Sequence, residues 1–297
     1  MTHIEKEITD QPNAWRRAAD LSAKQDTIDA LPRVGERVAL VGCGTSLNMA
    51  LACASLRESR GDGETDAFAA SDFPLGRRYD RVIAITRSGT TTEIVQLLET
   101  LVGVVPTTVV TTQRNLPVEQ FATHTIHLDF ADEESVVQTR FATSVLALWR
   151  AHMGTDLAPV ILDAHRALAT ELPESWISRR NYTFLGTGWS IGMAHEAALK
   201  IREASQAWTE SYPAMEFRHG HISVLDSSSM AFFFGEVPEG LLSEVEFTGA
   251  LSVVSDLDPM AQLIVAQRLA VAIAIQRNLN PDEPRNLTRS IILTESA

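Results

Sequence analysis

Val38-Ala-Leu-Val-Gly42-Cys-Gly-Thr-Ser46 and Asn181-Tyr-Thr-Phe-Leu-Gly186-Thr-Gly-Trp-Ser190 decide the fold. Each is a short apolar run that stops at glycine, continues as G-x-G-x-S and opens a helical pattern. Apolar runs of this length fit strands buried on both faces, as parallel strands are. The pattern after the first runs from Leu47 to Leu56, and the one after the second reaches about Trp208. One design written twice predicts an internal duplication, two α/β halves of similar plan.

The alternation continues outward from these stretches. Arg81–Thr86, Pro106–Thr112 and Thr123–Leu128 read as further strands of the first half, with Thr92–Leu101 a helix between the first two of them. Val136–Met153 and Pro159–Leu172 read as helices, and Pro173-Glu-Ser175 as a link. Met230–Phe234 and Leu251–Val254 supply later strands, Met260–Arg277 a strongly apolar helix, and Asn278 onward a polar tail. Strands alternating with helices of this length predict an α/β fold with mostly parallel sheets flanked by helices. The expected organisation is a helical N-terminal arm over 1–34, a first domain over 35–172 and a second over 173–297.

The chain has 297 residues, enough for two domains, and 45% of them are hydrophobic. Its net charge of −13 argues against nucleic acid, whose binders carry a basic stripe. No signal-like segment opens the sequence, and no apolar run is expected to reach the roughly 18–20 residues that span a bilayer. Two cysteines, Cys43 and Cys53, make neither a disulfide framework nor a C-x-x-C metal site. The expectation is a cytoplasmic protein with no nucleic-acid or membrane partner.

Two loops draw attention. Gly42-Cys-Gly-Thr45-Ser46 and Thr86-Arg87-Ser88-Gly89-Thr-Thr91-Thr92 each link a strand to a helix. In a parallel sheet they stand at the carboxyl ends of strands, where open α/β sheets bind ligands. Helix N-termini add unpaired N–H groups and a positive dipole end. Hydroxyls of Ser46, Thr86, Ser88 and Thr91 add neutral donors for one phosphate, although Ser and Thr at such positions also serve as simple helix caps. The loops match neither the Walker pattern nor G-x-G-x-x-G, since Leu47 stands at the third glycine, so nucleotide sites are disfavoured.

Glu196, Lys200 and Glu203 share one face of the second-half helix. They are open to two readings, a solvated ion-paired face or a carboxylate base held beside a lysine in a cleft. Phe217-Arg-His219-Gly-His221-Ile222 places two histidines around a glycine. They fit a weak metal pair or a single acid–base histidine. His124, His127 and His195 read as structural.

Taken together, these residues resemble the SIS (sugar isomerase) family of phosphosugar isomerases and deaminases, including the isomerase half of the amidotransferase that makes glucosamine 6-phosphate. Six motifs carry the resemblance across nearly the whole chain: Glu7-Ile-Thr-Asp-Gln-Pro12, Gly42–Ser46, Thr86–Thr91, Glu196-Ala-Ala-Leu-Lys-Ile-Arg-Glu203, Glu216-Phe-Arg-His-Gly220 and Pro284-Arg-Asn-Leu-Thr-Arg-Ser290. The resemblance implies two flavodoxin-like, three-layer SIS subdomains. It implies a phosphate site of Thr45, Ser46, Thr86, Arg87, Ser88 and Thr91, with Gln138 and Arg289 at further substrate positions. Glu203 falls on the base that moves a proton between C1 and C2, Lys200 on a lysine of that site, and His219 on a ring-opening histidine contributed by a neighbouring subunit, which implies a homodimer. Neither a metal nor a redox cofactor is implied.

The sequence departs from the family at several positions. Arg87 replaces a glutamine, Gln138 a serine, His221 a proline and Arg289 the tail lysine. Arginine stays protonated and cannot act as an amine. The two arginines predict a cradle more cationic than the family's and hence a different ligand. With no glutaminase segment or leading nucleophilic cysteine, glutamine-dependent transfer is not expected. Two functions remain: an isomerase or deaminase of a phosphorylated amino sugar or ketosamine, and a non-catalytic sugar-phosphate sensor. Regulators with such modules usually carry a DNA-binding helix-turn-helix, for which the short acidic N-terminal arm is expected to leave no room.

Overall fold

The computed structural model describes residues 1–293. In chain order its elements are α1 (His3–Ser22), α2 (Gln25–Ala30), β1 (Val38–Gly42), α3 (Thr45–Arg60), β2 (Thr65–Ala69), β3 (Arg81–Ile85), α4 (Thr92–Leu101), β4 (Thr107–Thr111), β5 (His124–His127) and α5 (Arg140–His152). There follow α6 (Ala158–Ala169), α7 (Glu174–Ile177), β6 (Asn181–Gly186), α8 (Ser190–Ser205), β7 (Thr209–Pro213), β8 (Ser229–Phe234), α9 (Leu241–Phe247), β9 (Leu251–Val253) and α10 (Pro259–Gln276). They form two compact units that interleave along the chain. The first holds residues 13–133, 140–157 and the segment from Thr288; the second holds 1–12, 134–139 and 158–287. The N-terminal residues thus cluster with the second half and the tail with the first.

In the first unit a five-stranded, all-parallel sheet runs in the order β2-β1-β3-β4-β5. β1, β3 and β4 are buried along their whole length, which is why their sequences are continuous apolar or threonine-rich runs. Val82, Ala84 and Val109 pack against Ile94, Leu97, Leu98 and Leu101 of α4. Arg57, at the end of α3, is 2% exposed and donates to the carbonyls of Arg33, Glu36, Asp62 and Gly63 and to Thr65 Oγ1. One guanidinium thereby satisfies acceptors of two loops and of the first residue of β2.

In the second unit a four-stranded parallel sheet runs β7-β6-β8-β9. α8 lies against β6 and β7 and packs on α10. The E-I-x-x-Q-P motif is structural here. Glu7 accepts from the Glu134 and Ser135 amides and the Ser135 hydroxyl, and Gln11 donates to Gln267 at 2.7 Å. α10 corrects one expectation, because it is 18 residues long and apolar enough to cross a membrane by composition. It is also 72% buried within the protein, as a core helix is.

Two further differences have physical causes. β2 and β7 escape the sequence reading because they are buried at their first residue and half-exposed thereafter, with no apolar run to mark them. The helix expected over Val136–Met153 begins only at Arg140. Glu133 accepts the Arg140 amide at 2.6 Å and so caps that helix, while Glu7 draws the Glu134 and Ser135 amides away.

Candidate functional site

The first sheet reverses strand order between β1 and β3, and the two singled-out loops are those that leave β1 and β3. Outside the carboxyl ends at such a switch point is where open sheets hold ligands. A Cβ on Gly42 would fall 2.5 Å from the Ser46 carbonyl carbon, so only glycine lets the chain fold back this tightly onto α3. Thr45 and Ser46 form the first turn of α3 and are each 4% exposed. The Ser46 hydroxyl has no hydrogen-bond partner among the described residues.

In the second loop, Thr86 Oγ1 accepts the Gly89 amide at 3.2 Å and closes the turn, with Gly89 at φ +61°. Ser88 Oγ and Thr90 Oγ1 donate to Ser290 Oγ at 3.1 and 2.9 Å, and Thr91 Oγ1 lies 3.4 Å from the same atom. The Thr92 amide, first in α4, donates to Ile291 O at 3.1 Å. The tail from Thr288 is therefore packed onto the loop within the first unit.

The expectation of a more cationic cradle is overturned, because each arginine is matched by a carboxylate. Arg87 and Glu133 face each other at 3.5 Å with side chains 1% and 0% exposed, and Arg87 Nη2 donates to Arg289 O at 3.3 Å. Burial pushes the Arg87 guanidinium down and Glu133 draws it back up. Arg289 binds the Asp132 carboxylate and Glu133 O. Asp132 also accepts from Thr112 Oγ1 and Gln113 Nε2, each at 2.8 Å. Burial opposes ionisation of Asp132, but its bonds to Gln113, Thr112 and Arg289 hold the carboxyl below its ordinary value. Cys43 lies in the first loop. Burial, helped by Glu93, raises its thiol, so it is not a poised nucleophile.

In the second unit Lys200 stands between two carboxylates. Its ammonium is 3.4 Å from Glu196 Oε1 and bonds Glu203 Oε2. Glu196 and Lys200 have side chains 0% and 1% exposed, whereas Glu203 is 19% exposed. The solvated-face reading is overturned for Glu196 and Lys200, which lie inside the unit. Only Glu203 presents its carboxylate to solvent, backed by a buried cation. Gln138, on the stretch before α5, has a buried Oε1 without a hydrogen-bond partner among the described residues. His219 follows the short turn Glu216–Arg218, is exposed, and makes no side-chain hydrogen bond among the described residues. His221 stacks on Tyr212 with ring centroids 3.9 Å apart, which gives it a packing role. Among the described residues no three His, Cys, Asp or Glu side chains are grouped to hold a metal.

Sequence reasoning missed Asp132, Glu133, Thr90 and Ser290. The run Asp132-Glu-Glu134 reads as an ordinary acidic loop, and only its tertiary pairing with two arginines marks it. Ser290 lay inside the Pro-Arg-Asn-Leu motif, but nothing local shows where a tail folds.

No family model matches the chain. It is 25% identical over 335 residues to a glutamine–fructose-6-phosphate aminotransferase (isomerizing) of Methanothermobacter thermautotrophicus, a match covering 96% of this chain and 56% of that protein. The chain thus spans about half the length of the curated relatives it matches. A glucosamine-6-phosphate deaminase from Thermotoga maritima superposes with a TM-score of 0.82 at 22% identity, covering 98% of this chain and 100% of that one. A tagatose-6-phosphate ketose/aldose isomerase from Escherichia coli gives 0.81 at 19%, covering 99% and 98%. The chain is thus similar in sequence, along nearly its whole length, to part of the isomerizing aminotransferases, and it has the fold of solved phosphosugar isomerases and deaminases.

Proposed function

We propose that the protein is a phosphosugar isomerase or deaminase that moves a proton between C1 and C2 of a phosphorylated amino sugar or ketosamine in the cytoplasm, without glutamine. The observation that carries this reading is the Lys200–Glu203 pair, a solvent-reachable carboxylate held by a sealed ammonium. Such a carboxylate is fixed in place and can take a proton from carbon while the cation steadies the negative charge that develops nearby. The hydroxyls of Ser46, Ser88 and Thr91, with the Thr45 turn, bind the phosphate, and Thr86 and Arg87 shape the loop that presents them. The free acceptor of Gln138 suits a sugar hydroxyl or ammonium, and Arg289 acts through the tail. In this reading a second copy of the chain supplies His219, which is exposed and free of side-chain bonds.

The test is a panel of hexosamine and ketosamine 6-phosphates, assayed with and without glutamine. Turnover of at least one member independent of glutamine is expected, and Glu203→Gln should lower kcat roughly 10²–10⁴-fold. Wild-type turnover in Glu203→Gln removes that carboxylate as the base. Tight binding of a panel member with no turnover of any would make the protein a sugar-phosphate sensor instead.

A further inference from the structure

The tail holds three single-proton donors of the second loop. A hydroxyl has one proton to give, as does a backbone amide. Ser88 and Thr90 give theirs to Ser290 Oγ, and Thr92 N–H gives its own to Ile291 O. In return Leu293 N donates to Thr92 Oγ1 at 2.8 Å. None of these protons can serve Ser290 or Ile291 and an anion at once. Neutral oxygens of the chain therefore stand where a phosphate would draw its hydrogen bonds.

The tether of this segment is graded. The Arg289 carbonyl is fixed by Arg87, whose ion pair with Glu133 is fully buried. The Arg289 side chain donates to Glu133 O and is paired with Asp132, the two paired side chains being 34% and 32% exposed. A pair so open to water is a weak tether. Beyond it, among the described residues, only neutral hydrogen bonds secure residues 290–293. A phosphate dianion makes charge-assisted bonds, about twice as strong as neutral ones, and gains from the positive end of α4.

We infer that residues 290–293 are a displaceable stopper of the hydroxyl loop, and that Asp132 is the residue that positions it, acting through Arg289. The inference rests on the reading that this loop binds phosphate. Inorganic phosphate and Ser290 then compete, and a ligand opens the loop by exchanging the tail's oxygens for its own. The Arg289 carbonyl remains the pivot.

Isothermal titration of the full chain with inorganic phosphate tests this, using wild type, Asp132→Asn, Ser290→Gly and a chain ending at Leu287. Loosening or removing the stopper should tighten phosphate binding by roughly three- to tenfold, the worth of about one neutral hydrogen bond. Amide exchange at Leu293 should rise when phosphate is added to wild type. A merely structural role for Asp132 would weaken binding or leave it unchanged. Equal or weaker binding in all three variants, with wild type binding phosphate, overturns the stopper and leaves the phosphate loop standing. Failure of all four proteins to bind phosphate overturns the phosphate reading and the stopper with it.

Discussion

The two sheets reverse strand order at equivalent places, between β1 and β3 in the first unit and between β6 and β8 in the second. Both turns after the central strand use the same device. A Cβ on Gly186 would lie 2.5 Å from Ser190 O, as one on Gly42 would lie 2.5 Å from the Ser46 carbonyl carbon. What differs is the use of the serine. Ser190 Oγ accepts the Thr187 amide at 2.9 Å and donates to Phe234 O, the last residue of β8, at 2.7 Å. Gln262 of α10 then takes the Gly235 amide at 3.0 Å. The second switch point is sutured by its own side chains. At the first, the Ser46 hydroxyl is left over and the next loop's donors are held by a tail segment. Both halves keep the glycine turn, and only the first leaves its turn serine without a protein partner among the described residues.

If the second unit is the internally saturated one, its stability should depend heavily on its sealed polar groups. The largest effect is expected from Lys200→Met, which removes the ammonium beside the fully buried Glu196. Breaking a buried pair from one side costs about 3–5 kcal/mol. Chemical denaturation followed by tryptophan fluorescence should show a loss of that size. A loss below about 1 kcal/mol would show that the Glu196–Lys200 pair is not what holds α8 in place.

The same contrast explains what the sequence could tell. Strands buried on both sides announce themselves as apolar runs, so β1, β3, β4, β6 and β8 were legible, as was the repeated G-x-G-x-S. Edge strands such as Thr209-Glu-Ser-Tyr-Pro213 bury one side only, and their composition resembles a loop. Glu196, Lys200 and Glu203 were legible as one stripe, but its burial was not. Periodicity says which residues share a face, and only the packing of α10 and the sheet says whether that face is wet. Arg87 and Arg289 looked like added positive charge because their partners, Glu133 and Asp132, are far away in sequence from at least one of them. The sign of a local field is a tertiary property.

A paired experiment isolates the two serines. Ser190→Ala orphans the Thr187 amide and a Phe234 acceptor inside the second unit, and should cost about 1–2 kcal/mol of stability. Ser46→Ala removes a hydroxyl with no protein partner among the described residues. It should change stability by no more than about 0.5 kcal/mol, while weakening the binding of phosphorylated sugars several-fold. Thermal denaturation and titration calorimetry read the two quantities separately. Equal destabilisation by both substitutions would erase the distinction between a sutured and an open switch point.

The smallest effect is a difference in acid sensitivity. His195, on α8 of the second unit, has its Nδ1 2.9 Å from Ser211 Oγ. Burial, with a lesser push from Arg202, lowers its pKa from the ordinary 6.5. The unfolded chain therefore takes up a proton at a pH where the folded one still resists it. His195 contributes stability that is fully present above the unfolded value of about 6.5 and is lost as pH falls through the lower folded value. His195→Gln retains a group able to bond Ser211 but does not titrate. Between pH 7.5 and 5.5 wild type should lose more thermal stability than the variant, because the other titrating groups are common to both. Identical losses would show that the packing around α8 admits the imidazolium, and that the second unit is less tightly closed than its hydrogen bonds imply.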